Sequence, residues 1–171
     1  RTGDVVVAAS VGLVDPDGVV QAHWPAADAG VAAAAARGGL TVHVGPIVSS
    51  PVPLVGPQRK TAVGASGALT VDMESAALIG VALQRRIPFV AVRIVLDEAG
   101  DALPAEFDVV DERGDVRFGA AVRAAVRHPR LVLQLARQRA VCERRLTEIL
   151  PTLLRGDALG LPPPERAVAD A

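Results

Sequence analysis

Three runs of this chain are predominantly apolar and rich in β-branched residues: Val5 to Val11, Leu40 to Val48, and Phe89 to Val95, the last interrupted only by Arg93. A strand with one wet face alternates apolar and polar residues; a run without that alternation is covered on both faces. Between the runs lie stretches of helical character. Asp28 to Arg37 is alanine-rich and closed by Gly38-Gly39, and Ala76 to Gln84 ends against Arg85-Arg86 and Pro88. Ala68 to Val71 adds a short strand. Strand–helix–strand order with doubly covered strands predicts an α/β domain: three layers, with a mostly parallel or mixed central sheet flanked by helices.

The remaining features narrow the class. Of 171 residues half are apolar and 22% charged, which excludes a disordered chain. Aromatic residues make up only 2%, so the core must be built from Ala, Val and Leu, and stacking platforms for single-stranded nucleic acid are missing. A formal charge of −1 creates no global field for nucleic acid or membrane. Cys142 is the only cysteine, which rules out an intrachain disulfide or a cysteine zinc site and fits a cytoplasmic, reducing location. His23 and His43 form no metal constellation, so no metal and no cofactor are expected. His43 reads as a satisfied core histidine, and Trp24 either caps the core or lines a pocket. The longest uncharged stretch, Gly38 to Gln58, holds four prolines and cannot be a membrane helix.

Asp15-Pro16-Asp17-Gly18 is turn chemistry, with Val19 to Ala22 as a returning strand. Ser49 to Lys60 reads as a proline-studded loop, long enough to be functional. From Gly119 the pattern is helical, split at His128-Pro129, with Leu131, Leu135, Cys142, Leu146, Ile149 and Leu153 on one stripe. Arg117 to Arg155 carries nine arginines against Glu143 and Glu148, which suits a solvated helix face or peripheral contact with an anionic membrane. The expected organisation is one domain over residues 1–155 and a flexible tail over residues 156–171. The chain runs from Arg1-Thr2-Gly3-Asp4 straight into a strand, so the domain is expected to lack its N-terminal strands.

Ligands of open parallel sheets bind outside the carboxyl ends of the strands. Asp72-Met73-Glu74 follows the strand ending at Val71, and Asp97 follows the one ending at Val95. Read as one βαβ unit, both clusters open on the same edge. Each residue also has a plainer reading: Glu74 as a dipole partner in a first helical turn, Asp97 as a cap or turn residue. Arg93, inside an apolar strand, needs an anionic partner or supports the site.

The runs Thr70-Val71-Asp72-Met73-Glu74-Ser75-Ala76-Ala77 and Ile87-Pro88-Phe89-Val90-Ala91-Val92-Arg93, followed by Asp97, resemble the nucleoside phosphorylase/nucleosidase superfamily. So do Gly3-Asp4-Val5-Val6-Val7-Ala8 and Val44-Gly45-Pro46-Ile47-Val48-Ser49-Ser50; the resemblance spans about Gly3 to Pro104. Ser49-Ser50-Pro51-Val52, Gly67 to Ser75, and Arg127-His128-Pro129-Arg130-Leu131 are most similar to the hopanoid-associated phosphorylases. That resemblance implies release of adenine from a purine nucleoside, with adenosylhopane as the adenosyl lipid cleaved. It implies Asp97 as general acid at the purine N7 or as a group sharing a hydrogen bond with it, Glu74 on the ribose hydroxyls, Met73 against the sugar, and Asp72 nearby. It places Ser49, Ser50, Pro53 and Leu54 along the base. Phosphate would be the co-substrate of a phosphorylase, and self-association is expected by analogy. The family's phosphate loop and early glutamate or arginine fall upstream of Arg1, which leaves hydrolysis and phosphorolysis both open. A nucleoside-binding remnant without catalysis, or a general methylthioadenosine/S-adenosylhomocysteine nucleosidase, is the alternative. Leu96 departs from the small polar residue common before the acid. A carboxyl that donates a proton near neutral pH needs a dry pocket, and Val95, Leu96 and Ala99 are apolar enough to supply one.

Overall fold

A computed structural model of the chain describes residues 1–15, 20–26, 29–37, 39–51, 54, 57–101 and 126–154. The centre of the Asp15 to Gly18 turn, Pro53, the helix start at Gly119 and the tail from Gly156 lie outside these residues.

The described elements are β1 (Val5–Val14), β2 (Val20–Pro25), α1 (Ala29–Arg37), β3 (Val42–Ser49), α2 (Pro57–Gly64), β4 (Thr70–Asp72), α3 (Ser75–Gln84), β5 (Val92–Ile94) and α4 (Pro129–Leu153). They form a mixed α/β fold whose sheet runs β2-β1-β3-β4, with β5 also paired to β1. β1 is parallel to β3 along most of its length, and β3 is parallel to β4. β2 pairs antiparallel with Ser10 to Val14, and β5 pairs antiparallel with Val5 to Val7.

This last pairing corrects the expected βαβ unit. α3 joins β4 to β5, but β5 runs opposite to β1 and therefore opposite to β4. A short apolar run encodes burial and not direction. β2 covers only the far half of a ten-residue strand, and the near half has backbone groups that a returning segment must satisfy.

Alternation along β1 divides the core. Val5 and Val7 face Val31 and Ala35 of α1 and Ile149 of α4. Val6, Ala8 and Val11 pack with Ile47, with Ala76 and Ile79 of α3, and with Ala91. Successive residues of a strand point to opposite faces, so a continuous valine run supplies two cores, one under each helical layer. Trp24 is partly buried and packs on the second of these.

Two further expectations need correction. α2 occupies the end of the supposed Ser49 to Lys60 loop: Pro57 opens it, where a helix needs no N–H donor, and Val63 is its buried anchor. Its short, polar sequence carries no periodicity strong enough to announce a helix. In α4 only Ile149 is fully buried and Leu146 is 51% exposed, so the expected stripe is narrower than its spacing suggests. No helix among the described residues is long and apolar enough to cross a membrane.

Candidate active site

The C-terminal end of β4 and the start of α3 meet in a dense polar knot. Asp72 Oδ1 accepts hydrogen bonds from Ser49 Oγ at 2.5 Å and from the Ser75 amide at 3.1 Å. Its Oδ2 accepts from Ser75 Oγ at 2.5 Å and from Arg93 Nε at 2.6 Å. Arg93 also donates to Ser75 Oγ at 2.6 Å, and Ser49 Oγ accepts from the Ala76 amide at 2.8 Å. The first amides of α3 are thus capped from outside the helix, by Asp72 and Ser49. Burial alone would raise the Asp72 carboxyl, but the hydroxyls of Ser49 and Ser75 and the Arg93 charge outweigh it and hold the group below the usual carboxylate range. Arg93 is therefore paired, with Asp72, at the cost-saving geometry its place in an apolar strand required.

A cavity of about 630 Å³ opens beside this knot. That volume lies within the range of small-molecule sites. Asp72, Met73, Arg93, Asp97, Lys60 and Leu54 all contribute to its wall, with Val71 and Leu96 among the apolar lining. The two acidic segments therefore share one cavity although their strands are antiparallel. Asp97 is 37% exposed at its side chain and accepts from Lys60 Nζ at 2.5 Å. Leu96 is 46% exposed, so the dry surroundings expected of Asp97 are not built by its immediate neighbours.

The other expected site residues fall elsewhere. Glu74 is exposed at the N-cap of α3, and its Oε2 accepts from the Met73 amide at 3.2 Å; it is not part of the cavity wall. Ser49 and Ser50 are buried behind that wall, with the Ser50 amide donating to the Asp72 carbonyl at 2.8 Å. Pro53 lies outside the described residues. His43 is half exposed at the open end of β3, and its Nε2 lies 2.8 Å from Asp4 Oδ2, so it is partnered but not a core residue. That bond holds the Asp4 carboxyl below its ordinary range. Among the described residues no cluster of three or more His, Cys, Asp or Glu could hold a metal ion.

Sequence reasoning missed Lys60. Its Nζ also donates to the carbonyls of Glu98, at 3.2 Å, and Asp101, at 3.1 Å. Lys60, Val63 and Gly64 line the cavity together, at the i, i+3, i+4 spacing of one helix face. Pro57 followed by that spacing was the one available signal.

A mixed sheet between helical layers, with Asp72 and Asp97 on the wall of a cavity at the end of β4, defines an α/β protein with a candidate small-molecule site. The chain belongs to the Phosphorylase superfamily, whose family model matches residues 1–127. Its fold is similar to the 5′-methylthioadenosine nucleosidase of Arabidopsis thaliana in apo form, with a TM-score of 0.56 and 18% identity over 91% of this chain and 56% of that one. It is also similar to the 5′-methylthioadenosine/S-adenosylhomocysteine nucleosidase of Neisseria meningitidis in complex with methylthio-immucillin-A (TM-score 0.52, 23% identity, 90% of this chain and 63% of that one). A third similar fold is the Streptococcus pneumoniae MTA/SAH nucleosidase in complex with 8-aminoadenine (TM-score 0.52, 17% identity, 90% and 63%). The chain thus spans less than two thirds of each of these solved structures. No curated protein matches it by sequence.

Proposed function

We propose that this protein cleaves the N-glycosidic bond of a purine nucleoside. The observation that carries the reading is the shared cavity: Met73 and Asp97, from segments on either side of α3, line one wall in a chain of the Phosphorylase superfamily. As the bond between the sugar C1′ and the purine N9 lengthens, its electron pair moves to the base and positive charge builds on the ribose. Asp97 passes a proton to the purine, which leaves neutral, and the carboxyl becomes a carboxylate. An oxygen nucleophile bonds to C1′ in the same exchange: phosphate as its anion, or water, which gives up one proton to solvent as the new bond forms. Glu74 turns from its own backbone to the ribose hydroxyls, where a carboxylate accepts two charge-assisted hydrogen bonds. Met73 packs on the sugar, and Leu54 lies along the base. Asp72 acts from the wall and Ser49 from behind it, holding Arg93 and the start of α3 in place, and the Ser50 amide holds the Asp72 carbonyl.

The finer reading makes the substrate an adenosyl lipid, adenosylhopane in hopanoid biosynthesis. The apolar rim supports it, because Leu69, Val71, Met73 and Leu96 are each between 37% and 49% exposed around the cavity and suit an alkyl substituent on the ribose. Self-association and contact of the arginine-rich α4 with an anionic membrane belong to the same reading. Release of free purine from adenosine derivatives with methylthio or long alkyl 5′ groups tests it on the full-length protein. Asp97→Asn is expected to lower kcat by about 10²–10⁴-fold, the range for loss of general acid catalysis. No purine released from any of these nucleosides, or an Asp97→Asn variant as fast as the parent, sinks the reading.

A further inference from the structure

We infer that Lys60 is the positioning residue of the candidate acid, fixing which oxygen of Asp97 meets the purine. The inference rests on the reading of Asp97 above and goes beyond it. An ammonium group has three N–H donors, and Lys60 spends them on Asp97 Oδ2, on the Glu98 carbonyl and on the Asp101 carbonyl. The lysine side chain is only 15% exposed, an uncommon state for a residue that normally keeps its charge in water. Three bonds from one tip fold the turn after β5 around a single cation, with the Asp97 carboxylate as one corner.

The same turn is held from the opposite side. Asp101 Oδ2 accepts from the Glu98 amide at 2.9 Å and from Gln138 Nε2 of α4 at 3.3 Å. The Cys142 thiol donates to the Val95 carbonyl at 3.3 Å, and burial pushes that thiol up, so it stays a donor. α4 therefore sets where the turn lies, and α2, through Lys60, sets how Asp97 points within it. Among the described residues no group bonds Asp97 Oδ1. Lys60 thus tells the two oxygens apart: Oδ2 is anchored on the ammonium, and Oδ1 is the one assigned to carry the proton to the base. Held at Oδ2, the carboxyl keeps one orientation through the transfer, and this acts on the geometry of the reacting atoms more than on binding.

The test compares the full-length parent with Lys60→Met, Lys60→Ala and Lys60→Arg in the purine-release assay, with thermal unfolding of each. Lys60→Met is expected to lower kcat by about 10-fold or more while KM changes less than about 3-fold, the split that marks an interaction made mainly in the transition state. Ethylammonium added to Lys60→Ala is expected to restore part of kcat, where sodium chloride of equal ionic strength does not. Should Lys60→Met unfold, Lys60→Arg carries the test, since its planar fork keeps the charge but not the three-way grip; a folded variant with lowered kcat supports the inference. An active parent with unchanged kcat in Lys60→Met or Lys60→Arg, or no ethylammonium effect, overturns the inference alone. A parent that releases no purine overturns both it and the reading beneath it.

Discussion

Asp72 is the most heavily bonded side chain of the site. Its Oδ1 accepts from Ser49 and the Ser75 amide, its Oδ2 from the Ser75 hydroxyl and Arg93, and the side chain is 7% exposed. Asp72→Ala would strand two hydroxyls and a guanidinium, so a loss of about 3 kcal/mol is expected in urea unfolding near neutral pH. The folded carboxyl titrates below its ordinary value, so its stabilising effect is complete above the unfolded pKa of about 4 and disappears as pH falls through the folded value. The gap in stability between parent and Asp72→Ala should accordingly narrow below about pH 4. A gap that stays constant down to acid unfolding contradicts this account. Part of the knot was legible from residues alone: an arginine in an apolar strand announces a buried anionic partner. Which carboxylate it takes was not legible, because Asp72 and Arg93 are separated by the whole of α3.

At the scale of elements, the helices end by different means. α3 stops at Gln84, and Arg86 takes a left-handed φ of 56° while the Ile87 amide reaches back to the Ala82 carbonyl at 2.8 Å. That closure normally uses glycine, since a side chain in this conformation is strained. Arg86 is exposed, so little is lost with its side chain. Arg86→Gly is expected to raise stability by about 0.5–1 kcal/mol, read as a higher urea midpoint with an unchanged slope. A lowered midpoint would show that the arginine makes a compensating contact. The helix itself was readable from Ala76 to Gln84, because apolar density and a proline stop are local signals. α2 was not, since a two-turn helix anchored by Val63 owes its existence to the third core cluster with Val14 and Val48.

At the scale of the whole molecule, the cavity is an assembly of distant segments. α2, β4, β5 and the turn at Asp97 to Asp101 each supply part of its wall. A nucleoside that bridges them must stabilise all of them together. At 100 times its dissociation constant such a ligand is expected to add about 2.7 kcal/mol to unfolding. Chemical unfolding with and without an adenosine analogue measures it, and an unmoved midpoint at concentrations that saturate binding would place the ligand elsewhere. The residue order by itself determined the α/β class, the positions of most strands and helices, and the two acidic segments, because burial, periodicity and chain breaks act over a few residues. Only the tertiary structure decided that β5 runs antiparallel on β1, that Arg93 closes on Asp72, and that Lys60 holds Asp97. Those choices depend on which backbone edges and charges remain unsatisfied once the rest of the chain has packed, and no short window of sequence carries that information.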